Sequence, residues 1–113
     1  MPSQITSISP TPVKRGTSES FTVVVAPWDT NTPTYFPIFV YIPKDAKDTQ
    51  TGFFPGKYAD DDGLQRAIVD ADIPMSAPID GDWKLTFQSV NPKSGQLVIV
   101  IDSKSGVTFK VEA

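Results

Sequence analysis

Asp60, Asp61, Asp62 and Gly63 set three carboxylates in a row ahead of a glycine. Adjacent carboxylates repel unless solvent or a cation screens them, and calcium takes about six to eight oxygens. Asp60 and Asp62, with Asp29 from another loop, are therefore the candidate calcium ligands. The EF-hand spacing is not met, because Tyr58 stands at its first position and Val69 at its closing one. A solvated turn would use the same residues, since Asp caps and turns well. A second pair, Asp80 and Asp82, flanks Gly81. Two such carboxylates could chelate, serve as acid and base across a glycosidic bond, or simply build a glycine-centred turn. Asp45 and Asp48, interleaved with Lys44 and Lys47, read as a solvated loop.

The aromatic residues suggest a different chemistry. Trp28, Tyr35, Phe36, Phe53, Phe54 and Tyr58 lie in or beside expected loops. Flat rings beside carboxylates and amides suit sugars, because the ring stacks and the polar groups fix orientation. Trp28, Asp29, Asn31 and Tyr35 are the candidate ligand-binding set. Thr51 to Gly56 could be an apolar loop tip, or its Phe residues could plug the end of the fold.

These residues need elements to hold them, and the pattern is that of strands. Phe21, Val23 and Val25 alternate with Ser20, Thr22 and Val24. Trp83, Leu85 and Phe87 alternate with Lys84, Thr86 and Gln88, and Val107, Phe109 and Val111 with Thr108, Lys110 and Glu112. A period of two is what a half-buried sheet requires. Ile38–Ile42 and Leu97–Ile101 are apolar on both faces and suit central strands. Gln4–Ile8 suits a short edge strand. Ala67, Val69, Ala71 and Ile73 alternate with Arg66, Asp70 and Asp72. Within Asp61–Asp70 a helical spacing competes (Leu64, Ala67, Ile68, continuing to Ala71), but the β-rich neighbours favour a strand. Most of the prolines and glycines fall between these runs, where turns belong. The long connection from Pro43 to Gly63 suggests a further strand near Phe53–Tyr58.

Composition narrows the function. The chain has 113 residues, no His and no Cys. Its length suits one domain over residues 1–113. Without Cys there are no disulfides or thiolate nucleophiles, and without His the usual base near neutral pH is missing. No glycine loop cradles phosphate, and no Ser–Lys pair stands out. The net charge of −3 argues against nucleic acid. It is unevenly spread: Asp45–Asp82 holds nine Asp against Lys47, Lys57 and Arg66. No apolar run approaches a transmembrane length, and polar Met1–Gln4 gives no expectation of a signal peptide. Nothing in the chain assigns a compartment.

Seven or eight short strands with turn signals every ~8–15 residues indicate an antiparallel β-sandwich with immunoglobulin-like wiring. Ile5-x-x-Ile8-x-Pro10, Gly16 and Phe21-x-Val23-x-Val25 resemble the first two strands of bacterial or early-set immunoglobulin-like modules. Gly81-Asp82-Trp83-Lys84-Leu85-Thr86-Phe87 resembles the G-x-W-x-L strand that many of them carry. The Cys pair of antibody domains is missing. This resemblance implies an adhesive, spacer or ligand-binding unit, not an enzyme.

The expectation is an all-β, single-domain, non-catalytic module that recognises carbohydrate or protein through one loop end, with calcium assisting. If Phe53–Tyr58 is a strand, the loop after Val25, the Asp60–Asp62 turn and the Asn91–Gly95 turn share that end. The first alternative is a structural module, a spacer or a subunit whose strand edge or sheet face meets identical copies. The second is a small hydrolase using Asp pairs.

Overall fold

The structure is a computed structural model that describes residues 2–44, 52–61 and 65–113. Its strands are β1 (Gln4–Ser9), β2 (Val13–Lys14), β3 (Ser18–Ala26), β4 (Phe36–Ile42), β5 (Gly52–Pro55), β6 (Lys57–Asp61), β7 (Arg66–Asp72), β8 (Asp82–Val90), β9 (Leu97–Ser103) and β10 (Val111–Glu112). Among the described residues there is no α-helix, only a single 3₁₀ turn at Thr32–Thr34. The fold is all-β.

Eight strands form one large sheet in the order β5-β4-β8-β9-β1-β3-β7-β6, and β2 and β10 form a small parallel pair. Neighbours in the large sheet are antiparallel except β1 and β9, which run parallel through Gln4–Asp102 and Ile5–Ser103. Alternation explains the burial. In β3, Phe21, Val23 and Val25 face inward. In β7, Ala67, Val69 and Ala71 do so, while Arg66, Asp70 and Asp72 face solvent. The competing helix at Asp61–Asp70 loses over Arg66–Asp72, because β3 and β6 offer a ladder on each side of β7.

The two ends of the sheet, β5 and β6, are consecutive in the chain and joined only by Gly56. One extended segment thus leaves β4 and joins β7, curling the sheet nearly into a barrel. Gly56 N–H donates to the Pro37 carbonyl at 2.8 Å. A Cβ on Gly56 would lie 2.7 Å from Phe39 Cε2 and 2.8 Å from Val69 Cγ1, so the crossing requires a residue without a side chain.

An aromatic cluster fills the interior. Phe39 stacks on Phe54 with ring centroids 4.9 Å apart, and Phe21 meets both Phe39 and Phe109 at 5.0 Å. Trp83 packs on Phe54 and Tyr41 and donates Nε1–H to the Pro78 carbonyl at 3.0 Å, so its polar edge is satisfied. These rings come from β3, β4, β5 and β8 and, with Phe109, from the segment between β9 and β10, so one core ties the curled sheet together.

Three expectations change. Gln4–Ile8 is not an edge strand, since β1 lies between β3 and β9 in the strand order. Val107–Val111 is not continuous: Phe109 bridges to Trp83 alone, and only Val111 and Glu112 pair with β2. Leu97–Ile101 is not buried on both faces. Ile101 is buried, but Leu97 to Val100 are 41–48% exposed.

Candidate functional site

The loop between β3 and β4 carries the expected ligand residues. Asp29 Oδ1 accepts the Asn31 N–H at 2.8 Å, and the Asp29 carbonyl accepts the Thr32 N–H at 2.9 Å. These bonds wind residues 29–35 into a tight turn. Trp28 and Tyr35 are half-buried against the core, so only part of each ring remains for a ligand. Burial raises the Tyr35 phenol above its ordinary range, aided by the Asp29 charge and a hydrogen bond to that carboxylate. Thr32 is fully buried, and among the described residues its hydroxyl finds no hydrogen-bond partner. The loop therefore brings Trp28, Asp29, Asn31 and Tyr35 together.

The strand registers test the loop-end expectation. Val24 pairs with Arg66, Asp61 with Ala67, and Phe36 with Gln88. Loop 27–35, the end of β6, the start of β7 and the β8–β9 turn thus share one end, because β5 and β6 run on in one direction.

Asp60 and Asp61 lie within β6, not in a turn. Asp62, Gly63, Asp45 and Asp48 lie outside the described residues, as does Thr51 of the expected loop tip. Asp60 Oδ1 accepts the Asp61 N–H at 2.8 Å, and Asp61 Oδ2 accepts the Tyr58 hydroxyl at 2.5 Å. Burial first, then the bond to Asp61, then the charges of Asp61 and Asp60, push the Tyr58 phenol far up. Among the described residues no three metal-ligating side chains come together.

The Asp80–Asp82 turn has different partners. Asp80 accepts a hydrogen bond from the Tyr41 hydroxyl, and that bond, with burial and the Asp80 charge, pushes the Tyr41 phenol up to about 12. Asp82 pairs with Lys110 at 2.5 Å. Gly81 is buried, and a Cβ there would run into the Ile42 carbonyl and the Tyr41 ring. The two carboxylates thus serve separate contacts on either side of a close approach. In β5, Phe53 points out and Phe54 points into the core, so one of the two rings plugs the fold.

The outer surface is strongly divided. On the β3–β7 side, Ser18 Oγ donates to Asp72 at 2.5 Å and Ser20 Oγ to Asp70 at 2.6 Å. On the β4–β8–β9 side, Phe36, Val90, Leu97, Val98, Ile99 and Val100 are all exposed large apolar residues. Phe36, Ile38, Pro55, Val90 and Leu97 line a shallow groove of about 220 Å³ there. β8 covers one edge of β9 through Val90–Leu97, Ser89–Val98 and Gln88–Ile99. On the other edge β1 reaches only Asp102 and Ser103. Among the described residues, Leu97–Val100 has no strand on that side.

Sequence reasoning missed this surface. Leu97–Ile101 reads like Ile38–Ile42, and a central strand and an uncovered one share one composition. No protein-family model matches the chain, and no curated protein sequence matches it.

Proposed function

We propose that the protein is a non-catalytic interaction module, an immunoglobulin-like sandwich that docks a partner through the free edge of β9 and the apolar face beside it. The sandwich reading draws support from the strand order. Two groups of four, β5-β4-β8-β9 and β1-β3-β7-β6, meet through the short β1–β9 pairing and through Gly56. The docking reading is carried by one observation: Leu97, Val98, Ile99 and Val100 are 41–48% exposed along an edge that has no neighbouring strand among the described residues. Isolated exposed aliphatics are ordinary, but a contiguous patch on an open edge is a template for strand addition. The non-catalytic reading draws support from the carboxylates, which are spent on Ser, Tyr and Lys partners.

The test is a titration of the isotope-labelled protein with a lysine-flanked peptide carrying the sequence Leu97–Ile101. Amide shifts centred on Leu97 and Ile99 are expected. Unshifted amides along β9 would remove the docking reading.

A second reading keeps the loop end as a carbohydrate or protein site with calcium held by Asp60, Asp62 and Asp29. What favours it is the grouping of Trp28, Asp29, Asn31 and Tyr35 on one loop. Its test is thermal melting in calcium against chelator, because an ion that binds only the folded state raises the melting temperature. Equal melting temperatures would remove the calcium.

A further inference from the structure

We infer that the partner seated on β9 is a second copy of this chain, joined by two-fold antiparallel pairing of the two β9 edges about Val98. This rests on the docking reading and names its occupant.

The backbone selects the register. Asn91 N–H donates to the Gln96 carbonyl at 2.8 Å. Antiparallel pairs alternate between hydrogen-bonded and non-hydrogen-bonded, so Val90–Leu97 is non-bonded, Ser89–Val98 bonded and Gln88–Ile99 non-bonded. Leu97 and Ile99 therefore turn their N–H and C=O groups away from β8, toward the open edge. Two copies related by a two-fold axis through Val98 place Leu97 of each opposite Ile99 of the other. All the outward donors and acceptors of that stretch then find partners. An axis at Ile99 would instead set Leu97 opposite Ile101, next to where Gln4 of β1 meets Asp102. The bulge in β9 opposite Phe87–Gln88 lies beyond Ile99 and leaves Leu97–Ile99 regular.

The side chains agree with this pairing. Leu97–Ile101 carries no charge, and every residue there is aliphatic. An isologous contact needs a patch complementary to itself, and a uniform aliphatic strand meets that condition without any second surface. The exposed fractions of Leu97–Val100 amount to on the order of 300 Å² of surface per copy. Two copies together bury at most about 600 Å², less than a stable interface, so the outward backbone hydrogen bonds of Leu97 and Ile99 carry the pairing. The dimer should accordingly be weak and concentration-dependent, forming toward millimolar concentrations.

The chain has no Cys, so a single introduced thiol reports cleanly. Directly opposed non-bonded residues lie about 4.5 Å apart between Cα atoms, within disulfide reach. Val98→Cys should cross-link under mild oxidation at least tenfold faster than Val100→Cys. Sedimentation equilibrium of the unmodified chain from micromolar to millimolar concentration should show monomer giving way to dimer. Leu97→Lys with Ile99→Lys should stay monomeric, with its melting temperature showing that it folds. A chain monomeric throughout, or equal cross-linking of the two Cys variants, overturns the proposal. If the peptide of the previous section still binds in that case, the edge reading survives and only the second copy is lost. If it does not bind, both fall.

Discussion

β7 and β9 are both seven-residue strands of the same sheet, and they end up in opposite conditions. β7 is paired on both sides, buries Ala67, Val69 and Ala71, and turns Asp70 and Asp72 to solvent, where Ser20 and Ser18 hold them. β9 is the more apolar of the two, yet its first four residues are the more exposed. The difference comes from neighbours. β3 and β6 both pair with β7 across Ala67–Asp70, whereas β1 begins only at the level of Asp102 and, among the described residues, leaves the start of β9 without a strand on that side. Hydrophobicity decides which residues favour burial, and the meeting of strands decides which residues obtain it.

The contrast can be broken first at the joint that closes the sheet. Gly56→Val should cost about 3 kcal/mol in urea unfolding, because the new methyl groups must displace Phe39 or Val69. A cost below about 0.5 kcal/mol would mean that the β5–β6 crossing leaves room for a side chain at residue 56. A matched pair of deletions sharpens the contrast next. Val69→Ala on β7 should cost about 2 kcal/mol, since that side chain is fully buried, while Val98→Ala on β9 should cost under about 0.5 kcal/mol. Equal costs in dilute protein would show that β9 is covered after all.

Alkaline titration probes the polar contacts. The folded Tyr41 phenol, hydrogen-bonded to Asp80, is pushed up to about 12 from the ordinary 10. The unfolded chain therefore releases this proton first. The stability linked to Tyr41 is complete below about pH 10 and is lost as pH rises toward about 12. Tyr41→Phe should flatten that part of the pH profile of the denaturation midpoint, and an unchanged slope would contradict the Tyr41–Asp80 bond. The smallest effect is expected from Ser18→Ala with Ser20→Ala. Both hydrogen bonds are exposed, so the loss in thermal stability should be a few tenths of a kcal/mol. A larger loss would make the acidic face a structural element and not a solvated surface.

Much of the fold was legible as strands. The alternation in Ser20–Val25, Ala67–Ile73 and Trp83–Phe87 reports a half-buried sheet, and β3, β7 and β8 lie there. The extra strand near Phe53–Tyr58 was legible as well, because a long connection in a compact domain needs structure of its own. Its division at Gly56 was not, since the reason lies in Phe39 and Val69, which are distant in sequence. The grouping of Trp28, Asp29, Asn31 and Tyr35 follows from their nearness in the chain. That Asp80 and Asp82 serve Tyr41 and Lys110 does not, because both partners arrive from distant parts of the chain.

By itself, the sequence determined the class of the molecule and the chemistry it lacks. Side-chain period is local, so alternation and the spacing of Pro and Gly specify strands and turns without knowledge of the whole. The absence of His and Cys limits chemistry in any conformation. Tertiary structure alone decided which apolar strand was covered. Leu97–Val100 and Ile38–Ile42 are equivalent as text, and only the pairing of β4 with both β5 and β8, against the late arrival of β1 beside β9, separates them. Burial depends on contacts between residues far apart in the chain, and no local pattern encodes which strand reaches which edge.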